Sequence, residues 1–413
     1  MRIIIATLGS GGDVRPYIAL AHELQANNHE VAIATSYDHF ELICDFGIDC
    51  IPMEIHSEEP ISFFNTRFSN AIASTFEVKE AFLLELWNAC REAEVLIYNP
   101  STFCCYYIAE KLGIPSFGAF VQPHHATTAF PHPFTTSGKP WGGIFNKIGF
   151  WAYSLLHWQY IRKPINNWRK EILHLPPLSF HDTLSRQMRR KQPRILYAYS
   201  PSFLPKPSDW HSERVEITGY WYLEKKDYKV PPDLERFIND GPPPVFVSTL
   251  YNMDKFDEDN VRQIIELLDC RVIVQDLFGE LKGMTSNEKL FYVKGSIPHE
   301  WLFKRVSAAV HHGGLGICLN CIRAGVPIVA IPALGGNDHR FWAYQVSKTG
   351  VGTHLSIAGK SKSFALEVAK AIKQVKDNAN MKLHAIEIGK RMKAENGVKS
   401  AVKIISDSIS QNR

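Results

Sequence analysis

The stretch from Ala308 to Asn337 reads AAVHHGGLGICLNCIRAGVPIVAIPALGGN and contains one βαβ unit. A short apolar strand, Ala308–Val310, leads into two histidines and a glycine-rich turn, and a helix and a second apolar strand, Ile328–Ile331, follow. Glycine turns at the carboxyl end of a strand let backbone N–H groups and a helix N-terminus approach a phosphate closely. The stretch therefore predicts a parallel α/β fold that binds a phosphorylated ligand.

The same alternation of apolar strands and helices extends over most of the chain. It runs from the first strand, Ile3–Leu8, to Pro115–Phe120, and it begins again at Val245–Ser248. Strands that alternate with helices form parallel sheets. We therefore expect two doubly wound halves with a cleft between them, and ligands favour the carboxyl ends of strands at such a crevice.

Length and proline content set the expected domain boundaries. A chain of 413 residues favours two domains, and prolines recur between Pro201 and Pro244. We expect an N-terminal domain over residues 1–218, a linker over 219–241 and a C-terminal domain over 242–390. Residues 391–413 predict a helix that packs back on the N-terminal domain.

Composition argues against several classes of protein. The 46 basic and 42 acidic residues give a net charge of +4, too balanced to indicate nucleic acid binding. The sequence shows no cysteine framework, no signal sequence and no long apolar run, which together predict a cytoplasmic protein. Cys318 and Cys321 share one predicted helix, and Asp257 and Asp259 lie at a predicted helix start, so we expect no metal site.

A segment rich in aromatic residues interrupts the alternation between Gln122 and Lys170. It includes Phe130, Phe134 and Trp141. Two interpretations are compatible, namely an apolar pocket with its lid and helices whose large side chains cover the sheet. Trp and Tyr side chains also suit a membrane surface, so peripheral contact with the inner face of a membrane remains open.

Several motifs follow one another in an order typical of one enzyme family. Gly9–Asp13 forms the first loop, Ile297–His299 precedes the glycine turn His311–Gly316, and Arg323–Pro327 and Asp338–His339 follow it. These motifs resemble the family-1 glycosyltransferases of the GT-B fold, and especially the branch of sterol and antibiotic glycosyltransferases. The resemblance covers nearly the whole chain. It implies two Rossmann-like domains that face each other across a cleft.

The resemblance also implies an activity, which is the inverting transfer of a hexose from a UDP- or dTDP-sugar to an acceptor hydroxyl. The expected acceptor is lipophilic, such as a sterol, a polyketide aglycone or a hydroxylated lipid. Asp13 matches the general base that takes the hydroxyl proton, and His312 matches the histidine that contacts the diphosphate. The nucleotide sugar is a co-substrate, no cofactor is expected, and the protein is expected to be a monomer or a dimer.

The resemblance carries further roles onto single residues. Phe130, Phe134 and Trp141 become candidates for acceptor binding. Ile317 stands where the family has a serine or threonine, and His339 stands where it has a glutamine, so the choice of donor sugar remains open. Besides His312, the residues expected at the donor are Gly11, Gly12, Ser248, Thr249, Ile297, Pro298, Gly313, Gly314, Leu315, Gly316, Asp338 and His339.

Asp13 leaves alternatives open. An aspartate with an ordinary pKa of about 4 is a weak base, so a neighbour is expected to help. His124 and His125 follow the strand Pro115–Phe120 at the same sheet edge, and either is a candidate for a carboxylate–histidine dyad. Asp13 is alternatively the N-cap of the first helix, a role compatible with catalysis. For the whole chain, a catalytically impaired nucleotide-sugar-binding protein and a nucleotide-sugar epimerase remain alternatives.

Overall fold

A computed structural model shows two compact units, each built on one parallel sheet. Unit 1 comprises Met1–Thr135, Pro140–Leu223 and Glu395–Arg413, and unit 2 comprises Thr136–Lys139 and Glu224–Ala394. The predicted fold class, α/β with two doubly wound domains, is confirmed. The structure describes residues 1–54, 80–135, 138–191, 193–211, 213–224, 228–249, 256–332, 338–356 and 363–411.

The sheet of unit 1 is parallel throughout. Its strands are β1 (Arg2–Ala6), β2 (Glu30–Ser36), β3 (Asp49–Met53), β4 (Val95–Tyr98), β5 (Ser116–Phe120), β6 (Arg194–Tyr197) and β7 (Val215–Ile217). They lie in the order β3-β2-β1-β4-β5-β6-β7. After Arg2, strand β1 is apolar because both of its faces are covered, and Ile3, Ile4 and Ile5 are fully buried.

The helices of both units connect the strands. In chain order they are α1 (Gly11–Ala26), α2 (Phe40–Cys44), α3 (Glu80–Cys90), α4 (Cys105–Leu112), α5 (Gly143–Glu171), α6 (Leu184–Lys191), α7 (Pro232–Asn239), α8 (Glu258–Leu267), α9 (His299–Leu302), α10 (Leu315–Ala324), α11 (His339–Lys348), α12 (Phe364–Lys376), α13 (Ala379–Ala394) and α14 (Gly397–Gln411). Within the described ranges, no helix combines the length and the apolarity that crossing a bilayer requires.

The last helix of the chain, α14, belongs to unit 1. It packs on α1, and its buried residues Ala401, Val402 and Ile405 share one apolar core with Ile18. Helix α7 lies within residues 219–241, where the sequence predicted a linker. Pro232 at the first helical position and acidic residues in the first turn favour a helix there.

Helix α5 occupies most of the segment in which the sequence showed no periodicity. It is 29 residues long and carries Pro164 in its interior. Large apolar residues lie on both of its faces, for example the buried Trp158 and the exposed Trp151. A helix here agrees with one of the two interpretations of this segment, but a helix that is apolar on both faces shows no 3.6-residue period, so the pattern did not give its bounds.

The sheet of unit 2 is also parallel. Its strands are β8 (Val245–Ser248), β9 (Val272–Asp276), β10 (Leu290–Lys294), β11 (Ala308–His311), β12 (Ile328–Ala330) and β13 (Gly352–His354), in the order β10-β9-β8-β11-β12-β13. The predicted βαβ unit is β11-α10-β12, with β11 beside β12. The last residues of that stretch, 333–337, lie outside the described residues.

The residues that the sequence analysis considered as metal ligands lie within a helix or at a helix N-terminus. Cys318 and Cys321 are buried in α10, and Asp257 is the N-cap of α8, where its side chain accepts a hydrogen bond from the N–H of Asn260. The part of the chain that the structure describes contains no group of three or more His, Cys, Asp or Glu side chains able to hold a metal ion.

Candidate active site

The loop after β1 holds the Asp13 carboxylate at the N-terminus of α1. Asp13 Oδ2 accepts hydrogen bonds from the backbone N–H and from the hydroxyl of Ser10, both at 2.9 Å. Ser10 is the N-cap and Asp13 is the third helical residue. The expectation that Asp13 is itself the N-cap is therefore wrong, because the helix begins two residues earlier and Asp13 reaches back to the cap as in a capping box.

Glycine at position 9 makes room for this carboxylate. Gly9 has φ +145°, and a Cβ there would lie 2.6 Å from Asp13 Oδ2. Gly11 and Gly12 form the first turn of α1, and the described residues leave open space beside Gly11. Backbone N–H groups at such a helix start are unpaired within the helix and favour an anion.

Two residues that the sequence did not single out secure the same loop. His39 Nε2 donates to the Gly9 carbonyl at 2.8 Å, which places the proton on Nε2 in the neutral ring. Asn99 Nδ2 donates to the Leu8 carbonyl at 2.8 Å and to the Thr7 hydroxyl at 3.1 Å. His39 follows β2 and Asn99 follows β4, the two strands beside β1. The sequence signal that could have identified both residues is their position just after the carboxyl end of a strand next to β1.

Tyr197 at the end of β6 organises His124 and His125. Its hydroxyl oxygen accepts the backbone N–H groups of both residues, at 3.0 and 3.1 Å, and lies 2.7 Å from His125 Nδ1. Burial lowers the pKa of His125 to about 4, and burial with the nearby His125 and His157 lowers that of His124 to about 3. Both rings are therefore neutral near pH 7, and a dyad with Asp13 stays a prediction.

An open cavity lies in unit 1 between the sheet and α5. Its empty volume is about 800 Å³, counting the part open to solvent. Aromatic side chains from the strand ends, from α4 and from α5 dominate its walls. The lining residues are Tyr98, Pro100, Phe103, Tyr106, Tyr107, Phe120, His124, His132, Phe150, Tyr153, Ser154, His157, Leu184, Ser185, Gln187, Pro193 and Ile195.

None of the three predicted acceptor residues is among the described residues that line this cavity. Phe130 is buried against Phe150 and Trp210. Phe134 packs on three lining residues, and Trp141 is 55% exposed. The aromatic composition thus predicted a pocket but not its walls, because eleven of the seventeen lining residues lie outside the aromatic segment Gln122 to Lys170. A role of the three residues in acceptor binding stays a prediction.

Three histidines place polar atoms in this mostly aromatic cavity. Burial lowers the pKa of His132 well below its ordinary value and lowers that of His157 to about 4, as it does for His124. The His132 ring stacks on Tyr153 with 4.0 Å between the centroids. Neutral imidazoles can donate and accept hydrogen bonds without adding charge. The cavity therefore suits an apolar, ring-containing molecule with few hydroxyls.

In unit 2, the glycine turn and His312 form the start of α10. Gly313 has φ +84°, Gly314 is the N-cap, and a Cβ on Gly314 would lie 2.5 Å from His312 Nε2. Leu315 and Gly316 are the first two helical residues, and the space beside Gly316 is open. The N–H groups of this first turn and the helix dipole together favour an anion such as a phosphate.

Four histidines surround this turn. The rings of His312 and His339 lie 4.5 Å apart, and His311 Nδ1 accepts the Gly313 N–H at 3.0 Å. His299 stacks on Phe303 with 4.7 Å between the ring centroids. Burial lowers the pKa of His312 well below its ordinary value, and the neighbouring His339, His311 and His299 lower it further. His312 is therefore neutral near pH 7 without an anion.

The other predicted donor residues differ in how accessible they are. Thr249 is fully buried, and its hydroxyl donates to the Gln275 carbonyl at 3.3 Å. This hydrogen bond links the residue after β8 to strand β9 within the sheet. Ser248, at the end of β8, is 3% exposed, and Ile297 is 2% exposed. Pro298 is the half-buried N-cap of α9. A donor contact of Ile297 would therefore use its backbone rather than its side chain.

The positions that depart from the family pattern lie beside His312. Asp338 is the N-cap of α11, and its Oδ2 accepts a hydrogen bond from Trp342 Nε1 at 3.1 Å. His339, the first residue of α11, packs on His312, and burial lowers its pKa. Ile317 is 8% exposed in the first turn of α10, so an apolar side chain takes the place of a hydroxyl there. Sugar contacts of Asp338 and His339 stay predictions.

Two family models match the chain. Residues 3–131 match the glycosyltransferase family 28 N-terminal domain. Residues 266–407 match the C-terminal domain of the erythromycin biosynthesis protein CIII-like family. The first match contains Asp13 and most of the unit 1 loops, and the second contains the glycine turn of unit 2.

Curated relatives include sterol 3-beta-glucosyltransferases of two yeasts. The protein of Komagataella phaffii is 33% identical over 426 residues, which cover 98% of this chain and 34% of that protein. The protein of Pichia angusta is 31% identical over 433 residues, which cover 100% of this chain and 34% of that protein. The chain therefore spans about a third of the length of these relatives.

Solved structures of glycosyltransferases share the fold. The glycosyltransferase of kitacinnamycin aligns with a TM-score of 0.73 at 17% identity, over 98% of each chain. The glycosyltransferase VinC, solved in complex with dTDP, aligns with a TM-score of 0.71 at 17% identity, over 100% of each chain. The resemblance noted in the sequence is confirmed, and the chain joins a glycosyltransferase family 28 N-terminal domain to an EryCIII-like C-terminal domain on the fold of the GT-B glycosyltransferases.

Proposed function

We propose that the protein transfers a hexose from a UDP- or dTDP-sugar to a hydroxyl of a lipophilic acceptor, with inversion at the anomeric carbon. The proposal depends most on the start of α10, where the His312 ring lies beside Gly314 and the first-turn N–H groups follow. Such an arrangement favours an anion. VinC, solved with dTDP on the same fold, supports a nucleoside diphosphate as the ligand of this turn.

The cavity of unit 1 supports a lipophilic acceptor. Its walls are mostly aromatic, and the polar atoms of His124, His132 and His157 come from neutral rings. A sterol has the matching chemistry, with a fused apolar ring system and one hydroxyl. The sterol 3-beta-glucosyltransferases among the relatives support the same class of acceptor.

In the proposed reaction, the acceptor oxygen bonds to the anomeric carbon while the bond from that carbon to the diphosphate oxygen breaks. The diphosphate leaves with the bonding electron pair, and the hydroxyl proton passes to the Asp13 carboxylate. Attack on the face opposite the leaving group inverts the configuration. Negative charge that grows on the diphosphate is stabilised by the first turn of α10 and by His312.

Asp13 is our first candidate for the base because two hydrogen bonds from Ser10 fix its position. His124 is the second candidate, because its neutral ring lines the cavity that we assign to the acceptor. Single replacement of each residue distinguishes the two.

The alternative of an impaired, nucleotide-sugar-binding protein rests on two observations. Ile317 brings no hydroxyl to the turn, and the His339 ring packs on His312. Such a protein would bind the nucleotide sugar through the same turn and would not turn it over.

Thermal stabilisation by UDP, dTDP and their glucose conjugates tests the donor assignment, followed by a turnover assay with a panel of sterols and aglycones. We expect stabilisation and turnover in the wild type, and loss of stabilisation in His312→Ala. His384→Ala, which changes an exposed histidine of unit 2, is the matched control and should behave as the wild type. Absence of stabilisation by every nucleotide would contradict the proposal, and stabilisation without turnover would favour the binding protein.

A further inference from the structure

Helix α5 presents an apolar face to solvent. Seven large apolar residues of this helix are between 39% and 62% exposed. Apart from two adjacent pairs, successive members are three or four residues apart, which places the set on one side of the helix. They are Ile144, Phe145, Ile148, Trp151, Leu155, Leu156 and Tyr160, and we call this set the apolar face of α5.

The apolar face is long and continuous. At 1.5 Å per residue, the distance along the helix from Ile144 to Tyr160 is about 24 Å. Exposed Trp141, which packs near Gly149 of the same helix, extends it at one end. Phe180, whose carbonyl accepts a hydrogen bond from Gln159, is 48% exposed and extends it at the side. Contiguous apolar surface of this size marks an interaction site rather than ordinary solvent exposure.

The other face of α5 forms a wall of the cavity. Phe150, Tyr153, Ser154 and His157 line that cavity, so one helix separates it from the apolar face. A lipophilic molecule that fits an aromatic cavity is concentrated in bilayers rather than in water. An apolar surface on the outside of the same helix would place the cavity next to its source of ligand.

Basic residues flank the apolar face. Lys163 and Lys170 are exposed on the last turns of α5. Helix α6 packs on α5, where the Ser185 N–H donates to the Ser154 hydroxyl at 3.0 Å. It exposes Arg186, Arg189 and Arg190, the last of which also pairs with Asp182.

Acidic residues are scarce in the same stretch. From Gly138 to Lys170 the sequence contains no aspartate or glutamate. Lys147 is not counted in the basic rim, because its side chain is only 29% exposed and pairs with Asp209 at 3.0 Å. Lys170 and Arg190 also have acidic partners, Glu171 and Asp182, but their side chains are 75% and 65% exposed. An apolar face with a basic rim complements a surface that is apolar inside and negatively charged outside, which is the surface of an anionic bilayer. A second copy of the chain would bring two basic rims together, so charge disfavours it.

We propose that the apolar face of α5, with the basic residues of α5 and α6, docks the protein on anionic membranes. The apolar side chains enter the boundary between headgroups and acyl chains, and the arginines and lysines contact lipid phosphates and carboxylates. Docking does not depend on the proposed transfer reaction. Vesicle binding and nucleotide binding therefore fail separately if one of the two proposals is wrong.

Vesicle flotation tests the proposal with the full chain. We expect binding to vesicles of phosphatidylcholine with phosphatidylserine and weaker binding to phosphatidylcholine alone. The double variant Phe145→Ser/Trp151→Ser should weaken the partition coefficient by at least about tenfold, because two aromatic anchors are lost. Phe278→Ser is the matched control, since Phe278 of unit 2 is 60% exposed and Phe145 is 62% exposed. This control should bind vesicles as the wild type does.

Charge reversal and self-association complete the test. Lys163→Glu/Lys170→Glu should lose the preference for phosphatidylserine, and added salt should weaken wild-type binding. The proposal is overturned if the wild type does not float with anionic vesicles, or if the double aromatic variant binds as tightly as the wild type. It is also overturned if sedimentation shows a dimer that Trp151→Ser dissociates, because the apolar face would then bind a second copy.

Discussion

Replacement of Asp13 by asparagine separates the catalytic role of this residue from its structural role. An asparagine Oδ1 can still accept the two hydrogen bonds from Ser10, so the loop keeps its geometry. The variant loses the negative charge at the start of α1 and with it the capacity to take a proton near pH 7. The perturbation is therefore small for the fold and large for the proposed chemistry.

The two effects differ in size. Hydrogen bonds to a charged acceptor exceed neutral ones by about 1 kcal/mol, and the helix dipole adds a few tenths, so we expect about 1–2 kcal/mol less free energy of unfolding. For a unit of this size, that corresponds to a Tm lower by roughly 3–6 °C. Loss of a general base should lower kcat by about 10²–10⁴-fold, or about 3–5 kcal/mol in the barrier.

Ser10→Ala is the matched control. It removes the hydroxyl donor to Asp13 Oδ2 and leaves the backbone N–H donor and the charge in place. Loss of a serine N-cap costs about 0.5–2 kcal/mol, so the Tm should fall as far as in Asp13→Asn. Activity should fall by less than about tenfold, because one hydrogen bond still holds the carboxylate.

The assay is initial-rate transfer from UDP-glucose to a sterol at saturating donor, with Tm measured on the same samples. The reasoning is refuted if Asp13→Asn keeps the kcat of the wild type, or if Ser10→Ala loses as much kcat as Asp13→Asn. In the first case, a large loss in His124→Ala would move the role of the base to His124.

The remaining predictions concern the turn of unit 2. Because the free His312 has a lowered pKa, a bound diphosphate should raise that pKa and binding should take up a proton. The Kd for UDP-glucose should therefore fall as the pH is lowered from 8 toward 6 (about the ordinary pKa of histidine). Calorimetry in buffers of different ionisation enthalpy measures the uptake, and an unchanged pH dependence in His312→Gln would contradict it. Gly313→Ala should lower the Tm, since φ is +84° and its Cβ would lie 3.0 Å from the His339 carbonyl oxygen. Gly316→Ala should keep the Tm, because the added methyl group meets open space beside the helix. The same methyl group should weaken nucleotide binding, and a nucleotide affinity equal to that of the wild type would contradict the assignment of the phosphate to this turn.

The local sequence pattern was sufficient to predict those features that depend on one short segment of the chain. The glycine turn at His312, the loop at Asp13 and the alternation of strands and helices are all visible as neighbours along the chain. The buried parts of strands β1 and β11 could be predicted because a strand covered on both faces carries a continuous apolar run, here from Ile3 in β1 and from Ala308 to Val310 in β11. The bounds of helix α5 could not be predicted, because one of its apolar faces is buried and the other is exposed, so its sequence shows no helical period.

The sequence by itself determined the fold class, the family and the two loops that we assign to chemistry, because each depends on residue types at fixed short spacings. Only the tertiary structure decided which side chains meet. His39 and Asn99 reach the Asp13 loop from two other strands, and His124 faces a cavity whose walls come from distant parts of the chain. Parallel strands bring their carboxyl ends to one edge whatever their separation in sequence, so contacts at that edge leave no local pattern to detect.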